Sequence, residues 1–271
     1  MLEFFGLSKL SNGKYGYLRT PEGAWSFEHL FFVITMVLAM IAIAVVVGLK
    51  YKNKEQKEKN KVLIFSAILM NGFELVKIIA LSIRYQDPFH FRYVLPLFLC
   101  SIQLIAIPMA AFCKGRVKNA CLDFVFAFGI LGATFGTIGS TQIYAKVPVL
   151  AMDSVFSAIT HCISGFASLF IGVSGMTSMK KRDLSITLGV LLGFSVVAYI
   201  VNHIVGYNYM FLMYHDGTPY SIFYNWVGGS PVFYPLVVVG IFVAYIVLFY
   251  YIYHKILEKK NKKTALTTEQ V

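Results

Sequence analysis

Charge is scarce along this chain, and acidic charge is scarcer still: 13 Asp and Glu stand against 24 Lys and Arg in 271 residues, and the four types together make up 14%. A water-soluble domain of this length needs far more polar surface. With 58% hydrophobic residues, the composition excludes a soluble globule and points to an exterior that faces lipid. Cysteine is sparse as well. Cys100, Cys113, Cys121 and Cys162 all fall inside apolar runs or at their ends, so no extracellular disulfide framework is expected. There is no CxxC, no HExxH and no Walker or Rossmann glycine pattern, and neither a metal nor a cofactor is expected. Residues 1–26 carry Glu3, Lys9 and Lys14 without a continuous apolar stretch. A cleaved signal peptide is therefore not expected, and the first span is read as the insertion signal.

What the chain does have is seven long apolar runs, at 27–48, 62–83, 94–113, 119–139, 154–176, 184–205 and 233–253. Each is near the ~20 residues a helix needs to cross a bilayer. The expected fold is all-α, a polytopic seven-helix transmembrane bundle. Seventeen of the 24 Lys and Arg residues lie in the 50–61, 114–118 and 180–182 gaps and after residue 254, while six lie in the alternate gaps. By the positive-inside rule the amino terminus is outside and the carboxyl terminus cytoplasmic. This divides the chain into an extracellular segment 1–26, a seven-span domain 27–254 with an outer aromatic loop at 207–231, and a cytoplasmic basic tail 255–271. The expected location is the plasma membrane, as a multi-pass protein. The net charge of +11 follows from this topology and from attraction to anionic lipid, so membrane phospholipids are the expected partners and nucleic acid is not.

Ionisable and polar residues are costly inside a membrane, which makes them the candidates for function. In the fifth run Ser154, Ser157, His161, Ser164 and Ser168 recur at 3-4-3-4 spacing, along one helical face that points inward. The third run carries Cys100 and Gln103, the second Asn71, Glu74 and Lys77, and the sixth Asn202 and His203; Glu28 and His29 stand at the outer end of the first. With a ~1.5 Å rise per residue, Cys100 and His161 lie roughly 9 and 12 Å below the outer ends of their helices. Glu74 and Lys77 reach the same half of the bilayer from below. Glycines at 129, 132, 136 and 139 clear one face of the fourth run, which predicts close packing against a neighbour.

Several segments resemble the YwaF-type family of bacterial integral membrane proteins. They are SFEHL at 26–30, LPLFLCS at 95–101, GILGATFG at 129–136, the THC around His161, NHIVGYNYMFL at 202–212, and the Gly-Gly-Ser-Pro loop at 228–231. The family's third span usually reads LPLHLC, and Phe98 stands here where that histidine would be. A related eukaryotic family consists of cysteine-dependent ether-phospholipid acyltransferases. The resemblance implies a phospholipid acyltransferase or transacylase that works through a cysteine acyl-enzyme, with Cys100 as the matching cysteine. A thiol becomes a competent acyl carrier when a base deprotonates it, and His161 is the candidate at similar depth. Gln103, Asn202 and His203 are candidates to orient the base or stabilise an oxyanion, and Glu74, Lys77 and His29 to contact substrate.

Two other readings use the same polar residues. A small-molecule or proton transporter, or a ligand-binding membrane protein, would bind its cargo among His161, Glu74, Lys77 and Asn202. Against transport, the sequence shows no inverted repeat and no pair of broken helices in matching positions. The third reading is a scaffold subunit for another membrane protein.

Overall fold

The computed structural model describes residues 1–177 and 179–268, with side chains as far as residue 262. It is helical almost throughout. A two-stranded antiparallel hairpin, β1 (Ser8–Lys9) and β2 (Tyr15–Gly16), precedes α1 (Phe27–Tyr51), α2 (Gln56–Tyr85), α3 (Gln103–Phe112), α4 (Gly115–Ile138), α5 (Thr141–Tyr144), α6 (Met152–Ser174), α7 (Leu184–Val205), α8 (Ser221–Trp226) and α9 (Phe233–Thr268). Among the described residues, six helices, α1, α2, α4, α6, α7 and α9, are long and apolar enough to cross a membrane. The chain forms two compact units, residues 1–177 and 178–271.

The third expected span is not one helix. A 3₁₀ turn at His90–Tyr93 is followed by irregular backbone over 94–102 and then by the ten-residue α3. Pro96 lacks an N–H and disfavours the helical conformation of the residue before it. Irregular backbone at membrane depth is tolerated only where protein or a water-filled space surrounds it. Here α3 packs against α2 and α4.

In the first unit α4 and α6 form the centre. Ala120, Phe124, Ala127, Phe128 and Ala133 of α4 and Ala158, Ala167, Phe170 and Ile171 of α6 are all nearly inaccessible. α1 presents a single stripe, His29, Val33, Met40, Ala44 and Gly48, and leaves the rest of its surface apolar and exposed, as a helix at a lipid boundary requires. Its start is capped by Ser26, whose Oγ accepts from His29 N at 3.2 Å. Lys59, counted above among the loop charges, is buried and donates to the Ser174 carbonyl at 2.7 Å, where a cation suits the negative end of α6.

The N-terminal segment is folded against the end where α2 finishes and α6 begins. Arg84 donates from Nη1 to Asp153 Oδ2 at 2.6 Å, from Nη2 to the Tyr17 hydroxyl at 2.8 Å, and from Nε to the Phe5 carbonyl at 3.1 Å. Tyr17 in turn donates to Asp153 Oδ2 at 2.7 Å. Gly6 has a φ of +62°, and a methyl there would lie 2.8 Å from the Arg84 guanidinium, so glycine meets both a backbone and a space demand. Phe4 and Phe5 then pack edge-on against Phe156.

The second unit is built on two stripes. Thr187, Leu191, Ser195, Ala198 and Asn202 of α7 and Tyr234, Val238, Phe242, Ile246 and Tyr250 of α9 are buried at three- and four-residue spacing, and the two helices pack together. The expected outer loop is ordered: it holds a 3₁₀ turn at Tyr209–Phe211 and α8, with Tyr209, Met210 and Leu212 fully buried. The residues expected as a separate basic tail continue α9 through Thr268, and 269–271 lie outside the described residues.

Candidate functional site

The glycine face of α4 does two jobs. At Gly129 it is packed by α6, where a methyl would lie 2.7 Å from both the Ser164 carbonyl oxygen and Ser168 Cβ. At Gly132 the neighbour is Cys100, whose Cβ stands 3.4 Å from the position a methyl would take. At Gly136 it is His161, whose Cδ2 and Nε2 occupy the space itself. Positions 132 and 136 are one turn apart, with about 5–6 Å between their Cβ directions. Two elements far apart in sequence thus set a thiol and an imidazole against one helix face. Among the described residues no hydrogen bond joins the two.

His161 has a defined tautomer. Its Nδ1 lies 2.7 Å from the Ser157 backbone carbonyl and 3.4 Å from the Ser157 hydroxyl. A carbonyl only accepts, so Nδ1 carries the hydrogen and Nε2 the lone pair, which faces α4. His161 and Cys100 both keep accessible surface although they lie deep in the protein, the pattern of side chains that line an interior gap rather than fill a core.

Cys100 sits in the turn that leads into α3. The Ser101 hydroxyl accepts from Phe98 N at 2.9 Å and donates to the Phe98 carbonyl at 3.0 Å, which closes the turn locally. Three successive i→i−3 bonds, from Gln103, Leu104 and Ile105 to the carbonyls of Cys100, Ser101 and Ile102, then carry the chain into the helix. Gln103 is fully buried, and neither its Oε1 nor its Nε2 has a partner. On α2, Lys77 Nζ donates to Glu74 Oε2 at 2.7 Å; the pair is mostly buried and lies within electrostatic range of both Cys100 and His161.

The TMEM164 family model matches residues 24–253, from the start of α1 to the membrane portion of α9. The chain belongs to the TMEM164 family. That match carries neither the YwaF-type name nor a bacterial source. No curated protein and no solved structure is detectably similar to the chain.

In this TMEM164-family protein the other sequence candidates have different surroundings. His29 is fully buried; its Nδ1 accepts from Trp25 N at 2.9 Å and its ring lies 4.0 Å from that of Tyr144, so it helps seat the start of α1. Asn202 and His203 belong to the second unit. Both ends of the Asn202 amide are taken by Tyr209: Nδ2 donates to its carbonyl at 3.0 Å, and Oδ1 accepts from its N–H at 2.6 Å. Asn202 is a clamp for the loop. His203 is exposed, and its Nδ1 donates to the Tyr199 carbonyl at 2.9 Å. Sequence reasoning missed the Arg84–Asp153–Tyr17 group altogether. Its signal was present, because Arg84 closes one helix and Asp153 opens another at the same end of the bundle.

Proposed function

We propose that this membrane protein transfers acyl chains between lipids, with Cys100 as acyl carrier and His161 as its base. The observation that carries the reading is the pairing of a half-buried thiol and an imidazole with a free Nε2 lone pair, seated one turn apart on Gly132 and Gly136 of α4. His161 Nε2 takes the Cys100 proton, and the thiolate attacks an ester carbonyl of a glycerophospholipid. The tetrahedral intermediate collapses, the carbon–oxygen bond of the donor breaks, and the departing alkoxide takes the proton back from Nε2. A hydroxyl of an acceptor lipid then reverses the sequence. The chemistry needs no cofactor from the protein, and the substrates are membrane phospholipids. In this reading the site opens to the outer leaflet of the plasma membrane, with the amino terminus outside, as the 17-to-6 division of loop charge favours.

Purified protein incubated with an alkyne-tagged phosphatidylcholine should form a hydroxylamine-sensitive adduct at Cys100. Cys100→Ala should abolish it while leaving the fold intact, since one small side chain replaces another. His161→Ala should slow it by ~10²–10⁴, the usual worth of a general base. An unacylated wild-type protein, or an adduct that persists in Cys100→Ala, would overturn the proposal. The irregular segment 94–102 beside the buried Glu74–Lys77 pair also favours a second reading, binding or transport of a small polar ligand. That reading predicts no adduct at all.

A further inference from the structure

We infer that Cys100 sits beside a built oxyanion hole, formed by the backbone N–H groups of Cys100 and Ser101 together with the side-chain amide of Gln103. The inference rests on the acyl-transfer reading and names the groups that would hold the charge developing in it. Three observations meet at this turn.

The first is the backbone. Among the described residues, the N–H groups of Leu99, Cys100 and Ser101 have no oxygen acceptor, while Phe98, Ile102 and Gln103 on either side of them do. The Cys100 and Ser101 N–H groups lie close enough to the Cys100 sulfur to interact with it. They form the positive end of a helical run that continues through the ten residues of α3.

The second is Gln103. A fully buried amide with both ends unpartnered is costly, and proteins keep such groups where something else fills the bonds. The bond from Gln103 N to the Cys100 carbonyl at 3.4 Å closes an i→i−3 turn into α3, and residues three apart along a helical turn are neighbours on one face. Gln103 therefore stands on the same side of the turn as Cys100. The third is access: Cys100 keeps accessible surface, so a carbonyl can reach it.

The chemistry follows from the geometry. When the thiolate adds to an ester carbonyl, a carbon–sulfur bond forms, the π bond opens and its electron pair moves to oxygen. That oxygen accepts from the two backbone N–H groups and from Gln103 Nε2, and releases them when the carbonyl re-forms and the donor alkoxide leaves. The donors are fixed in place beforehand by the Ser101 hydroxyl, which ties the turn at Phe98.

Gln103→Met and Gln103→Leu, made in the full-length protein, test the assignment. With the alkyne-tagged phosphatidylcholine, both should acylate Cys100 ~10²–10³ more slowly than wild type, the worth of one oxyanion donor. Alkylation of Cys100 by iodoacetamide, followed by peptide mapping, should keep its wild-type rate, because the thiolate displaces iodide at a saturated carbon and no oxyanion forms. The melting temperature should hold or rise, because an unsatisfied buried amide is removed. Wild-type acylation rates in both variants would overturn the inference and leave the acyl-enzyme reading standing. Slow acylation with slow alkylation or a lowered melting temperature would also overturn it, since that marks a packing role. A wild-type protein that is alkylated but never acylated would remove the acyl-enzyme reading and the oxyanion hole with it.

Discussion

The first unit treats buried polar groups in two opposite ways within a few helical turns. Where residues 1–26 fold onto the end of α2, the buried cation is fully used: Arg84 is spent on Asp153, Tyr17 and Phe5, and Tyr17 closes the ring onto Asp153. Deeper in, the side chains of Gln103 and Ser164 have no partners, His161 shows a bare Nε2, and three successive backbone N–H groups have no oxygen acceptor. A saturated network stabilises, and an open one waits for a ligand. The two regions therefore call for opposite responses to mutation, stability in one and chemistry in the other.

The largest stability effect should come from Arg84→Ala. It strands Asp153 and the Phe5 carbonyl without their partner, at a cost of about 3–5 kcal/mol, the usual loss on removing one member of a buried pair. Thermal unfolding in detergent should show it, and hydrogen exchange should rise selectively over residues 1–26. Unchanged exchange there would mean that the segment is held by Phe4 and Phe5 alone.

The glycine face sharpens the contrast inside the site. Gly136→Ala forces a methyl into the His161 ring, so the ring must move; about 1–3 kcal/mol of overpacking strain is expected, together with loss of acylation. Gly132→Ala meets Cys100 Cβ at 3.4 Å, an ordinary contact, and should fold with little loss. Equal acylation in both variants would break the link between ring position and activity.

Asn202 and His203 give the same test in the second unit. Asn202→Ala removes the side chain that holds both the N–H and the carbonyl of buried Tyr209 and should cost about 1–3 kcal/mol. His203→Ala removes an exposed ring and should stay within about 0.5 kcal/mol of wild type. Melting temperatures of the two variants decide it.

The smallest effect is a pH dependence. Burial, reinforced by the Asp153 carboxylate, raises the Tyr17 hydroxyl well above its ordinary value of 10.0. A raised folded value means that the folded state holds this proton more tightly than the unfolded chain does. The stabilisation is complete below about pH 10 and is lost as pH rises toward the folded value. The melting temperature of wild type should thus fall more steeply above pH 10 than that of Tyr17→Phe, and parallel curves would show that Tyr17 is not coupled to folding.

Much of this was legible beforehand. The serine and histidine face of α6 reads directly from 3-4-3-4 spacing, and Ser154, Ser164 and Ser168 are indeed inaccessible. The glycine stripe of α4 foretold close packing, though only at Gly129 is the partner the helix backbone that packing arguments anticipate. The broken third run was not foreseen, because hydropathy averages over a window and cannot distinguish a helix from irregular backbone of the same composition. The fold of residues 1–26 was missed for a related reason: its strongest bonds join positions 67 to 136 residues apart, and no local period records them.

Sequence alone determined that the protein resides in a membrane, which faces of its helices turn inward, and which few polar residues are there to be explained. Those properties follow from hydrophobicity and helical period, both of which are local and additive along the chain. Only the tertiary structure decided that Cys100 and His161 share one face of α4, that the Gln103 side chain stays unpaired where α3 begins, that Asn202 is consumed as a clamp, and that the N-terminal segment is stapled to Arg84. Each depends on which distant side chain arrives first in a space, and packing, unlike hydropathy, is settled between elements rather than within them.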